Sequence, residues 1–423
     1  MTLLRALIGI AFFCLVAWGL SSDRRRVPWR VVLCGLAAQA GLAWFVLDTA
    51  VGASAFDGVS AFFVKLIGMT DAGTQVVFGP LAKPEVLGPA LGGENAFILA
   101  FKSLPVIIFF SALMAVLYHL GVMQVVVWGV GKLMSRVMGI SGAESMSGAA
   151  NVLCGMTEAP LVVRPYIARM TRSELMALMT GGFATIAGSV LAVYMGIVGP
   201  EYAPHLISAS VMAAPGAFVM AKLMRPESEA PETGAKIELR VEREASNLIE
   251  AVANGTTTGL KLWLNVIAML IAFVALVALV DWPLTWFGGV LGVEGELTLS
   301  RLFGWGLAPV AWLIGVEGWG DCQLFGGLLG TKIALNEFIA YTQLAPLEPG
   351  SGGALTFESA RAAKMAAYAL CGFANFGSIG IQIGGLVPLA PERRADIAAT
   401  ALRAMLAGAM ASCVSATIAG VFL

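Results

Sequence analysis

Apolar residues along this chain gather in long blocks instead of recurring on one face of short amphipathic elements. Blocks able to cross ~30 Å of hydrocarbon run over about 1–20, 31–50, 98–120, 175–198, 206–224, 262–280, 362–388 and 397–423. They predict eight transmembrane helices. Two further stretches, 141–172 and 300–341, are Gly-rich, moderately apolar and interrupted by polar residues. Lys and Arg in short loops set orientation. The loop 21–30 is basic, Arg164, Arg169 and Arg172 precede the fourth span, and Arg393 and Arg394 separate the last two, whereas loops 199–205 and 281–300 contain neither residue type. One orientation satisfies all of these, with both termini outside and the basic loops inside. In it each irregular stretch starts and ends on one side, the first inside and the second outside. Backbone that breaks at membrane depth is tolerated only within protein or beside a water-filled cavity, so both stretches are expected to be re-entrant helical hairpins. Segments 55–69 and 123–138, the latter carrying Lys132 and Arg136, are expected as interfacial amphipathic helices. The charged run 225–250 reads as a cytoplasmic linker.

Composition narrows the class. The 423 residues are 58% hydrophobic and 13% charged, with mean hydropathy +0.84. A soluble chain of this size carries about 25% charged residues; here lipid must be the solvent. The formal net charge of −1 argues against a nucleic-acid partner. The six cysteines (Cys14, Cys34, Cys154, Cys322, Cys371 and Cys413) lack CxxC spacing and read as small core residues. Only His119 and His205 are present, which speaks against a His-based zinc or iron centre. The first apolar block has Arg24, Arg25, Arg26 and Arg30 on its C-terminal side, the reverse of a signal peptide, so it is expected to be a retained span.

The two irregular stretches are related. Gly182-Phe183-Ala184-Thr185-Ile186-Ala187-Gly188-Ser189 follows the first, and Gly372-Phe373-Ala374-Asn375-Phe376-Gly377-Ser378 follows the second. Each stretch also holds a glutamate beside a small polar residue, Thr157-Glu158 and Asn336-Glu337. Hairpin, broken span and full span thus recur with opposite entry sides, the inverted-repeat layout of many secondary transporters. Charged groups at membrane depth are functional candidates. Glu158 and Glu337 suit a ligand rich in hydroxyl and N–H donors, against the plainer reading that each carboxylate caps a broken helix. Asn375 and Ser378, three apart, share one side of a helical turn; the plainer reading is that they bond neighbouring backbone at the break. Asn151 and Thr185 offer hard neutral oxygens of the kind Na+ prefers, and Cys154 would contribute its carbonyl. Phe373 reads either as packing or as a platform for a ring.

Three runs then resemble a known family: Asn151-Val-Leu-Cys-Gly-Met-Thr-Glu-Ala-Pro160, Gly330-Thr-Lys-Ile-Ala-Leu-Asn-Glu-Phe-Ile-Ala-Tyr341 and Cys371-Gly-Phe-Ala-Asn-Phe-Gly-Ser-Ile379. They are similar to the signatures of concentrative nucleoside transporters, the sodium-coupled nucleoside symporters. The resemblance covers residues 113–423, and more weakly the first two spans. It implies an all-α integral membrane protein, a homotrimer in the bacterial inner membrane, importing nucleosides with Na+ by elevator-type alternating access. It further implies that Gly155, Met156, Thr157, Glu158 and Val190 meet the nucleobase, that Glu337, Asn375 and Ser378 hold the ribose with Phe373 nearby, and that Asn151, Cys154, Thr185 and Ile186 form the Na+ site. Scaffold helices are expected over 1–120, a first transport repeat over 121–224, a linker and scaffold span over 225–299, and a second transport repeat over 300–423.

Many members have Gln at Met156 and Ser at Thr185. Loss of the amide removes a donor and an acceptor for a pyrimidine edge, and a thioether adapts to a larger apolar face, so purine nucleosides are expected as substrates at least as good as uridine. Proton coupling through Glu158 or Glu337 is the alternative to sodium. An intramembrane enzyme would need a nucleophile–base pair or a metal site, and two scattered histidines without HExxH supply neither. A passive channel would need a continuous lined pore, whereas paired hairpins predict alternating closure.

Overall fold

A computed structural model describes residues 3–91, 97–234, 245–293, 295–353 and 355–423. Among apolar side chains a helix satisfies its own backbone, and every regular element among the described residues is helical. The N-terminal third comprises α1 (Leu3–Gly19), α2 (Trp29–Asp48), α3 (Ala50–Phe78), α4 (Pro84–Leu91), α5 (Leu99–Lys102) and α6 (Val106–His119). Next come α7 (Val122–Met138), α8 (Gly142–Cys154), the short α9 (Ala159–Val162) and α10 (Arg164–Ile167), α11 (Arg172–Ala184), α12 (Gly188–Val198) and α13 (Ala203–Met224). After α14 (Leu248–Val290) follow α15 (Leu299–Ile314), α16 (Trp319–Ala334), α17 (Glu337–Leu344), α18 (Ala360–Leu370), α19 (Phe376–Leu386) and α20 (Arg394–Phe422).

Among the described residues, seven helical segments are long and apolar enough to cross a membrane, or eight if the pair α15–α16, bent by 108°, counts as one span. α1, at 17 residues, is apolar but shorter than these. Two helices outrun their expected bounds. The segment expected to lie flat at the interface over 55–69 instead lies inside the 29-residue α3, part of a segment (Ala50–Pro89) long and apolar enough to cross the membrane. The sixth block lies inside the 43-residue α14. Both start at side-chain caps, Thr49 accepting from Gly52 N and Asn247 from Glu250 N, which hydropathy does not register. The centre of the charged run, 235–244, lies outside the described residues.

Burial sorts the helices into two groups. The most apolar stretches of α13 and α20 are 94% and 83% buried within the chain, against 11% for α3 and 0% for α14. The outer group is joined by its own contacts. Gly255 and Gly259 let α14 lie directly on the backbone of α6, where a Cβ would come within 2.7 Å of Ala112 Cα and 2.6 Å of Ile108 Cα, the small-xxx-small mode of close packing. Phe63 stacks on Phe110, Trp263 Nε1 donates to Ala100 O at 3.2 Å, and Lys102 pairs with Asp71 at 2.9 Å. In the inner group α1 and α2 pack against α13 and α20. There the fully buried Gln39 donates to Met212 O at 3.0 Å and to Ser415 Oγ at 2.9 Å.

Candidate functional site

Two broken helices position the site. α11 ends at Ala184 and α12 resumes at Gly188; α18 ends at Leu370 and α19 resumes at Phe376. The breaks meet. Gly372, with φ +103°, lies against the first break so closely that a Cβ would come 2.6 Å from the carbonyl oxygens of Phe183 and Ala184, which a side chain could not do without displacing backbone.

On one side of this crossing stands Glu337, buried at the first turn of α17, where the helix N-terminus favours negative charge. Its two oxygens have different partners: Tyr194 OH on α12 donates to Oε1 at 2.8 Å, and Asn375 Nδ2 donates to Oε2 at 2.9 Å. Asn375 caps α19, its Oδ1 accepting from Ser378 N at 2.7 Å, and Ser378 is buried beside it. The plainer reading of Asn375 holds, its amide oxygen bonding the backbone at the break, while its nitrogen meets Glu337. Phe373 is half-buried in the break.

Further along α19 lie the residues that follow α8. Gly155, with φ +93°, ends the helix, and Met156 is buried whereas Thr157 is exposed. A Cβ at Gly182 would lie 2.5 Å from Gln382 Nε2 and 2.9 Å from Met156 Cβ, and one at Gly385 would lie 3.6 Å from Thr157 Cγ2. α19 thus runs from Asn375 and Ser378 to Met156 and Thr157. Glu158 is half-buried at the start of α9, and Val190 is buried near the start of α12, one helical turn before Tyr194.

The expected ion ligands converge on the last turn of α11. Asn151, buried in α8, has its amide nitrogen 2.9 Å from where a Cβ on Gly181 would be, and Thr185 Oγ1 donates to Gly181 O at 2.9 Å. Among the described residues, neither Asn151 Oδ1 nor Nδ2 has a hydrogen-bond partner. Such an orphaned amide costs about 1–3 kcal/mol, and an oxygen-seeking cation would satisfy its oxygen. Cys154 and Ile186 are buried close by in sequence, and the Cys154 thiol is engaged by Tyr118 OH, consistent with its carbonyl being the group left for a ligand.

Sequence reading missed three residues. Tyr194 is the partner of Glu337. Gln382 donates to Met179 O at 2.9 Å, which leaves its Oε1 unpartnered in the interior. Lys332, inside a run already singled out, is fully buried. The one available signal was spacing: Val190/Tyr194 and Ser378/Gln382 are each four apart and share a helix face.

The chain matches three family profiles in succession: Na+ dependent nucleoside transporter N-terminus over residues 8–81, nucleoside recognition over 100–201, and Na+ dependent nucleoside transporter C-terminus over 205–420. It is 44% identical to an uncharacterized transporter of Haemophilus influenzae over 100% of this chain and 98% of that one. It is 41% identical to sodium/nucleoside cotransporter 1 of Mus musculus over 98% of this chain, which spans 63% of the mouse protein's length. Among solved structures it resembles CNTnw in an inward-facing substrate-bound state, with TM-score 0.91, 41% identity, and 100% and 99% of the two chains covered. A doubly substituted CNTnw in an outward-facing state gives 0.93, 41%, and 99% and 98%.

Proposed function

Because the chain belongs to the Na+ dependent nucleoside transporter family, whose members are transporters, not enzymes, and use sodium as the coupling ion, we propose that it carries nucleosides inward together with Na+ by alternating access. The observation that carries this reading is the meeting of two helix breaks where α19 joins an acceptor cluster, Glu337 and Asn375, to the Met156–Gln382 surface. A nucleoside has the matching halves: ribose hydroxyls donate to Glu337 while its base lies against Met156, Thr157, Glu158 and Val190. Asn151, Thr185 and the carbonyls of Cys154 and Ile186 would hold the sodium ion, which couples uptake to its own gradient. The Met156 thioether favours the larger apolar face of a purine.

Element order supports re-entrant hairpins and inverted repeats. α7, α8, α9–α10, α11/α12 and α13 are matched by α15, α16, α17, α18/α19 and α20. Basic loops put both termini on the outer side of a bacterial inner membrane. In the elevator we propose, packing narrows the fixed frame to α3, α5, α6 and α14, because α1 packs on α13 and α20 and α2 is locked to them through Gln39. The unburied apolar faces of α3 and α14 leave room for the other copies of a homotrimer. Purified protein in proteoliposomes should accumulate labelled uridine against its gradient when Na+ is directed inward, and adenosine should compete. A sodium ionophore that leaves accumulation intact would overturn sodium coupling, and uptake that only equilibrates would indicate a channel.

A further inference from the structure

At the second helix break stands a cation that belongs to the chain. Lys332 Nζ, fully buried in α16, donates to Ala369 O at 2.8 Å, to Cys371 O at 3.0 Å and to Ser412 Oγ at 3.1 Å. Ala369 and Cys371 close the broken end of α18, where carbonyls without helical partners concentrate negative partial charge. The three ammonium protons thus meet three neutral oxygens, the donor set a hard monovalent ion would choose. Burying an ammonium costs several kcal/mol, so an apolar residue would be the cheaper filler.

The first break differs at the corresponding place. α8 ends at the cap Gly155 and α16 at the cap Leu335. Three residues before each cap stand Val152 and Lys332, so the first repeat has an apolar side chain where the second has an ammonium. Next to Val152 is Asn151, whose amide has no partner among the described residues.

We propose that Lys332 is a tethered stand-in for a second coupling cation. It holds the α18–α19 break closed as a sodium ion holds the first, so that Na+ exchanges at the Asn151 site alone. Lys332 is a positioning residue, acting on the nucleoside through Cys371 and the Asn375 cap that follows it. This inference rests on the transport reading above.

The test compares unsubstituted protein with Lys332→Ala, which vacates the site, and Lys332→Met, which fills it without charge. Sodium-driven uridine uptake by the unsubstituted protein should show a Hill coefficient of about 1 in Na+. Lys332→Ala should lose uptake about tenfold or more, and regain it with ethylammonium or, at raised Na+, with a coefficient approaching about 2. Lys332→Met should lose uptake and not respond. In detergent, ethylammonium should raise the Tm of Lys332→Ala alone. Unaltered uptake and sodium dependence in Lys332→Met would overturn the proposal, as would equal Tm shifts in all three proteins. If Lys332→Ala does not fold, loss of sodium-driven uptake in Lys332→Met that still binds uridine upholds it. Lack of sodium-driven uptake by unsubstituted protein would count against the transport reading instead, and the melting comparison would still decide the role of Lys332.

Discussion

Glu337 spends one oxygen on Tyr194 and the other on Asn375, so it is held in one orientation with lone pairs to spare for a ligand. Glu337→Gln keeps the shape but turns one acceptor into a donor that faces another donor. Hydrogen bonds to a charged group contribute about 1.5–3 kcal/mol, which predicts a fall in uptake kcat/KM of about ten- to hundredfold. Tyr194→Phe leaves the carboxylate and removes only one clamp, so it should fall by less. If Tyr194→Phe is the more damaging, Glu337 is not the ligand's anchor. Met156 belongs to the same scale. Met156→Gln restores an amide that can read a pyrimidine edge, and one such bond, about 1 kcal/mol, should raise uridine uptake relative to adenosine by about fivefold. An unaltered ratio in paired uptake assays would separate Met156 from base selection.

At the scale of elements, the end of α13 is fastened to the starts of α8 and α11 by a buried polar network. The capping boxes Ser141–Glu144 and Thr171–Glu174 start α8 and α11, and Ser141 Oγ donates to Glu174 at 2.5 Å. Lys222, at the end of α13, pairs with Glu144 and donates to Ser173 Oγ at 2.8 Å and Glu227 at 3.4 Å. Lys222→Met would leave Glu144 buried without its cation, a loss of about 3–5 kcal/mol. Its Tm should drop markedly, and Lys222→Met with Glu144→Gln should recover part of that drop. A double variant no better than the single one would show that the pair is not coupled. Such networks mark the limit of what sequence reveals. The apolar blocks, the helix breaks and the acids beside them were legible, because hydropathy and Gly-rich punctuation are local. The starts of α3 and α14 were not, since Thr49 lies inside the apolar block 31–50, where hydropathy marks no boundary, and Asn247 lies in the charged run before the sixth block. Nor were Tyr194 and Gln382 as site residues, because their partners lie 143 and 203 positions away and only the folded chain brings them together.

For the whole molecule, the proposed elevator would have the inner helices slide past a frame of α3, α5, α6 and α14, and α6 lies where the two groups meet. α6, on the frame, faces α12 and the end of α8. There a Cβ on Gly196 would lie 3.1 Å from Ser103 Oγ, and Tyr118 OH meets the buried Cys154 thiol. These contacts are made by side chains, in contrast to the backbone-tight α6–α14 seam within the proposed frame. If α8 travels, Cys154 leaves Tyr118 in part of the cycle and its thiol becomes reachable. In a variant whose other five cysteines (Cys14, Cys34, Cys322, Cys371 and Cys413) are replaced by serine or alanine, maleimide labelling of Cys154 should differ about tenfold or more between sodium-free and sodium-plus-uridine conditions. The size follows because moving a two-state population by 1.4 kcal/mol changes the exposed fraction by about that factor. Tyr118→Phe, which removes the contact but not the motion, should raise the slower rate and keep the dependence on ligand. One labelling rate under all conditions would mean that α8 and α6 never part, and the elevator would have to give way to a fixed pore with local gates.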